Sequence, residues 1–301
     1  MLFILLAISL FVCKDIFGKF YGLNFEAKST GLFLSNTLAM FSGSIVLFIV
    51  ALCMKKAILL SNLTSFILAA VFGISYIIVN YVLVMAMSYG PMGLTGVICG
   101  IGGLLAGSIY GLIRGDKASF AVIIGAVLMT LAVILVTPLK VEKNEKSSNQ
   151  MRWFILAFIS FLLNALICIV KTEAVSYKGA DSITFSLWAF IFATATGLVF
   201  IIHYIIKGER FKSYLGSKKN VIKFLSIACI MGISCTLANT MQMLSLASGV
   251  ASIVVYPLTT VGANLIEAFV SVVILKDQKM SFKIYLAYAV CIIGIILVNI
   301  G

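Results

Sequence analysis

Apolar runs of roughly membrane length recur along the chain, near residues 2–21, 31–53, 63–86, 92–113, 119–138, 153–171, 183–206, 221–246, 250–275 and 282–300. Crossing the hydrocarbon core takes about 20 helical residues. Backbone groups in lipid must be satisfied inside each segment, so these runs predict helices. They are too long and too uniformly apolar for the alternating strands of a barrel. Composition agrees: 62% of the 301 residues are hydrophobic and 11% charged, against about half and a quarter in soluble domains.

The segments correspond in two sets of five. "GISYIIVN" at 73–80 returns as "GISCTLAN" at 232–239, in the third and eighth segments. The fifth and tenth begin alike at Ser119 and Ser281, "SFAVIIGAVLM" against "SFKIYLAYAVC", and the first and sixth share a lysine, in "LFVCKD" and "LICIVKTE". The expected fold is therefore an all-α polytopic membrane protein with ten transmembrane helices in two repeats. Residues 1–138 form the first repeat, 139–152 a polar connection and 153–301 the second. Five helices is an odd number, so the second repeat enters the membrane inverted. Inverted repeats are a transporter architecture with substrate held between the halves.

Several function classes are disfavoured. The net charge of +12 comes without basic residues interleaved with aromatics in one groove, so nucleic acid is not expected as a partner. Lysines flanking apolar segments suit anionic lipid headgroups instead. The seven cysteines form no Cys-x-x-Cys pair and His203 is the single histidine, so neither a metal site nor a cofactor is expected. Hydrolase, zinc-protease and phosphate-loop motifs are missing, and no enzyme is expected. The apolar start runs into "CKDIF" rather than a cleavage site, which predicts a retained helix.

"LIRGDKAS" (112–119) and "ILKDQKMS" (274–281) close the fourth and ninth segments, with Asp116 and Asp277 in the acidic position. Gly115 precedes Asp116, Lys276 stands before Asp277, and Pro257 lies early in the ninth segment. In this order of motifs on ten segments the chain resembles the drug/metabolite transporter superfamily, in its ten-helix, two-repeat EamA-type branch. It departs from the family pattern at "CKDIFG" in the first segment and "CGIGG" in the fourth. The resemblance implies a secondary transporter of a small polar or amphipathic metabolite, an amino acid or related amine being favoured. Proton coupling, exchange, multidrug export and lipid-linked flipping stay open, and a membrane scaffold or sensor is a further alternative. It also implies a cell membrane of bacterial inner-membrane type and a monomer or weak dimer.

Helical spacing nominates the residues that would meet solute. Gly73, Tyr76 and Asn80 share one face, as do Gly232, Cys235, Asn239 and Gln242. The amides then either line a cavity or join helices by hydrogen bonds. Tyr256, Thr260, Asn264 and Glu267 make one face of the ninth helix, and a carboxylate inside an apolar helix is a functional candidate. Gly93, Gly96, Gly100, Gly103, Gly107 and Gly111 form a flat stripe for close helix packing. Asp15, like the acid in the first helix of four-helix relatives, resembles a coupling carboxylate; Glu267 is the second coupling candidate. Lys14 points about 100° away from Asp15, so the two are not expected to pair on one face. Lys171 follows eighteen residues of the sixth segment and is expected near the interface, where a lysine stem can snorkel. Lys14 or Lys171 is left as the charge partner of Asp15.

Most of the 22 lysines and arginines flank loops after odd-numbered segments. The charge rule alone places those loops in the cytoplasm and both termini outside. The resembled family has cytoplasmic termini, so orientation stays open.

Overall fold

A computed structural model describes residues 1–25, 29–89, 92–136, 147–208, 218–273 and 282–300. These residues form ten α-helices and, among them, no strand: α1 (Leu2–Asn24), α2 (Ser29–Cys53), α3 (Leu63–Tyr89), α4 (Met92–Ile113), α5 (Phe120–Val136), α6 (Ser147–Thr172), α7 (Ser182–Ile206), α8 (Lys218–Ala247), α9 (Ser252–Val273) and α10 (Phe282–Ile300). α6 begins inside the expected polar connection and continues beyond Thr172 as a wide π turn, Glu173–Tyr177, which its sequence did not announce.

Among the described residues, five helical stretches are long and apolar enough to cross a membrane: Gly31–Cys53, Leu63–Leu83, Gln150–Tyr177, Ser182–Ile206 and Lys219–Ala247. Shorter apolar stretches occupy α4, α5, α9 and α10. The outside of the bundle carries exposed Ile45, Phe48 and Leu52 on α2, Phe154, Phe158 and Leu162 on α6, and Ile292, Ile293 and Ile296 on α10. Apolar belts of that extent need lipid rather than water around them. The chain is a helical integral membrane protein.

Inside, Phe72, Phe185, Phe190 and Tyr256 are the largest buried side chains. Core hydroxyls answer to their own helices: Thr37 donates to Phe33 O, Ser44 to Met40 O and Thr194 to Phe190 O. Such back-bonding satisfies these three hydroxyls inside the bundle. α1 packs along α8 and α6 along α3; α2 also packs on α8 and α7 on α3. Three pairs close the bundle, α2 with α7, α4 with α9 and α5 with α10.

Glycines set the closest crossings. A Cβ at Gly73 would run into the Ala189 carbonyl oxygen, Ala193 N and Phe192 Cβ of α7. One at Gly232 would strike the Ala39 backbone of α2. On α4, Gly102 lies on the Phe161 backbone, Gly103 on Asn164 and Cys168, Gly107 on the Tyr256 ring, and Gly111 on Ser252. Gly100 has only ordinary contact, 3.7 Å from Thr260 Cγ2, and the surroundings of Gly93 and Gly96 lie outside the described residues.

Side-chain caps open α3 and α7. Asn62 Oδ1 accepts from Ser65 N at 2.7 Å, opening α3. Asp181 accepts from Thr184 N and Thr184 Oγ1, both at 3.1 Å, and opens α7. The Lys56 ammonium donates to Asp181 at 2.7 Å from the α2–α3 loop. Burial alone would push the Asp181 carboxyl up, but Lys56 and the two Thr184 donors outweigh it, so Asp181 titrates below its ordinary range. The folded value being depressed, this contribution is complete above about pH 4 and is lost as pH falls through the lowered value. At this exposure it is worth no more than about 1 kcal/mol. In detergent, the unfolding temperature of wild type should drop more steeply below pH 4 than that of Asp181→Asn; parallel curves would remove the pair from the account of acid stability.

Candidate functional site

A column of polar side chains rises through the bundle, from the middle of α1 to the loops joining α4 to α5 and α8 to α9. Its lowest level is Lys14 with Asp15. Their side chains form an ion pair of 2.9 Å, so the 100° argument against pairing is corrected and Lys14, of the two candidates, is the partner of Asp15. The four-carbon lysine stem spans the 100° gap between neighbouring positions. Both side chains keep partial exposure, 29% and 40%, although they sit midway along α1. Next to the pair, Cys13 accepts from Ser234 Oγ on α8 at 3.3 Å, which brings this level beside Cys235 and its partner Tyr76.

Those two residues form the next level. Tyr76 Oη on α3 and Cys235 Sγ on α8 share a hydrogen bond of 2.5 Å. The repeated phrase thus meets itself at its fourth residue, four residues before each asparagine. Asn80 donates back to Tyr76 O at 2.9 Å and Asn239 to Cys235 O at 2.9 Å. The two amides are used differently beyond that. Asn80 is half-buried, whereas Asn239 is buried and accepts from Lys171 Nζ at 3.0 Å.

Lys171 is the centre of the third level, and here the interfacial placement is overturned. Its side chain is 3% exposed and points inward. Nζ donates to Gln242 Oε1 at 2.5 Å as well as to Asn239, and lies 5.9 Å from the ring centres of both Phe72 and Tyr256. Amide dipoles from α8 and ring faces from α3 and α9 hold the ammonium inside the bundle against snorkelling. Gln242 Nε2 in turn donates to Thr259 Oγ1 at 2.7 Å. Tyr256 is buried, donates to Cys168 O and shares a hydrogen bond with Thr172, each at 2.8 Å. Asn264 is half-buried about two turns further along α9. The side chain of Glu267 lies outside the described residues, as do Lys276 and Asp277.

Above Lys171 the column ends in a charged lid that spacing did not reveal. Glu173 accepts from Tyr110 Oη at 2.8 Å and pairs with Arg114 at 3.2 Å and Lys178 at 3.6 Å. Arg114 also lies over the Tyr177 ring, 4.7 Å from its centre. Asp116 accepts from Ser252 N and Ser252 Oγ, both at 2.7 Å, and from Tyr177 Oη at 2.8 Å, capping the start of α9. Substituting Asp116→Ala removes this cap and should lower stability by about 1–2 kcal/mol in thermal unfolding. The sequence signal for this level was the run Lys171–Thr172–Glu173, three polar residues closing an apolar helix. Among the described residues, both ion pairs that join residues 1–138 to the later half sit at this end: Lys56–Asp181 and Arg114–Glu173.

No group of three His, Cys, Asp or Glu that could hold a metal occurs among the described residues. The arrangement can bind and orient a small solute through an ammonium, two amides and aromatic faces, and it can close over that solute with ion pairs. No family model matches the sequence, and no curated protein does. A solved crystal structure of another protein superposes with a TM-score of 0.72 over 99% of this chain and 96% of that one, at 14% identity. At that identity the likeness is one of fold.

Proposed function

We propose that the chain is a secondary transporter of the drug/metabolite transporter superfamily, in its ten-helix EamA-type branch, resident in a bacterial-type cell membrane. It moves a small polar or amphipathic metabolite by alternating access between residues 1–138 and 153–301. The observation that carries this reading is the packing pattern. Adding five to each helix number turns α1 on α8 into α6 on α3, and α2 on α8 into α7 on α3. The three closing pairs, α2 with α7, α4 with α9 and α5 with α10, each join a helix to its own counterpart. Such exchange is what two inverted repeats about one axis produce.

The polar column supports solute handling rather than scaffolding alone. Charged and amide groups gathered between helices are costly in a membrane and mark solute or ion pathways. The lid of Arg114, Glu173 and Asp116 closes one end of that pathway. Tyr76, Asn80, Asn239, Gln242 and Tyr256 line it, and Asp15, held by Lys14, is its candidate proton carrier.

Purified protein in liposomes preloaded with a mixture of amino acids, amines, nucleosides and phosphorylated metabolites tests the reading. Counterflow of at least one labelled solute is expected, with little flux in liposomes lacking protein. Protein-dependent flux of none of them would sink the transporter reading and favour a scaffold.

A further inference from the structure

Among the described residues, no carboxylate pairs with the Lys171 ammonium. Among the described residues, the acids nearest in the fold are committed elsewhere. Glu173 is taken by Tyr110, Arg114 and Lys178, Asp116 by Ser252 and Tyr177, and Asp15 by Lys14. Glu267 stands eleven residues beyond Tyr256 on α9, about 16 Å of helical rise away from the ring that Lys171 faces. Two of the three ammonium donors go to neutral oxygens, Asn239 Oδ1 and Gln242 Oε1. The amide hydrogens of both residues are turned away, to Cys235 O and Thr259 Oγ1. Two dipoles and two ring faces balance a full positive charge only in part.

We propose that Lys171 recognises the carboxylate of the transported solute. This rests on the transport reading and names the substrate class: small amphipathic monocarboxylates, amino acids included, rather than cationic amines. One uncompensated charge suits a monoanion. A phosphate dianion draws on further cations and a guanidinium fork, and Arg114 is already held by Glu173 and Tyr177, Lys14 by Asp15. The hydrocarbon part of the solute has aromatic surface beside the ammonium. Phe72 lies under Lys171, and Tyr76 stacks on Phe72 at 5.6 Å with 9° between the planes.

Four probes separate the alternatives on wild-type protein in liposomes and nanodiscs: leucine, 4-methylpentanoate (leucine without its amine), 3-methylbutylamine (leucine without its carboxylate) and inorganic phosphate. Leucine and 4-methylpentanoate should raise the unfolding temperature and be taken up; the amine and phosphate should do neither. Lys171→Met should weaken the apparent affinity for both carboxylates about 100-fold or more, and Lys171→Arg should recover part of it. Binding of the amine without the carboxylates, or unchanged carboxylate affinity in a folded Lys171→Met protein, overturns the assignment. If Lys171→Met does not fold, the four-probe comparison on wild type decides alone. Counterflow of other solutes combined with no response to either carboxylate removes the assignment and leaves the transporter reading standing; loss of all counterflow removes both.

Discussion

A single methyl group at position 232 is expected to cost about 3 kcal/mol, the upper end of overpacking effects. In Gly232→Ala the new Cβ would meet the carbonyl oxygen, carbonyl carbon and Cα of Ala39, which are backbone atoms that no rotamer change can move. α2 and α8 must then separate along their shared crossing, and α8 also carries Cys235, Asn239 and Gln242. Gly73→Ala should behave alike against Ala189 and Ala193 of α7. Gly100→Ala is the control. Its Cβ finds ordinary contact at 3.7 Å, and loss of a helix-interior glycine should leave stability unchanged or raise it by up to about 1 kcal/mol. Thermal unfolding in detergent reads all three; equal midpoints for Gly232→Ala and wild type would refute the close-crossing account.

The second large effect concerns the lid. Glu173→Gln keeps the Tyr110 contact but loses the ion pair to Arg114, which joins the end of α4 to the end of α6, and the local pair to Lys178. A charged hydrogen bond of this half-enclosed kind contributes about 2 kcal/mol, so the balance between closed and open lid should move about 30-fold. Cys168 lies beneath the lid and is buried. With the other six cysteines changed to serine, Cys168 should react with a water-soluble maleimide about 30-fold faster in Glu173→Gln than in its parent. An unchanged rate would mean that Glu173 does not hold this end shut.

Much of the architecture was legible because lipid forces a long apolar run to become a helix. The glycine of the repeated phrase was legible as a position but not as a contact, since the partner backbones, Ala189 and Ala39, belong to helices far away in sequence. The polar column was harder to read. Asn239, Gln242 and Tyr256 fell on the faces that spacing nominated. Lys171 was misplaced because distance along one helix says how near an end a residue lies, and nothing about neighbours that enclose it. The angular argument against a Lys14–Asp15 pair failed for a similar reason. The 100° rule describes where Cβ atoms point, and long side chains travel past it. Glu173 gave no periodic signal, because it stands where α6 gives way to the π turn and no further α-helical turn follows against which a face could be counted.

That wide turn has a mechanical meaning. Lys178 N reaches back to Glu173 O and Ala180 N to Ala174 O, both at 2.9 Å, one and two residues further than an α-helix spans. The end of α6 therefore holds a slack residue. Drawing it back into ordinary α-geometry would turn whatever follows by about 100° relative to whatever precedes it. Lys171 and Glu173 stand before or at the start of the slack and Lys178 beyond it, so the ammonium of Lys171 could keep its grip on Asn239 and Gln242 while Lys178 swings off Glu173. A winding change of one residue would then uncouple holding from closing, with no hinge in a loop and no helix leaving its neighbours.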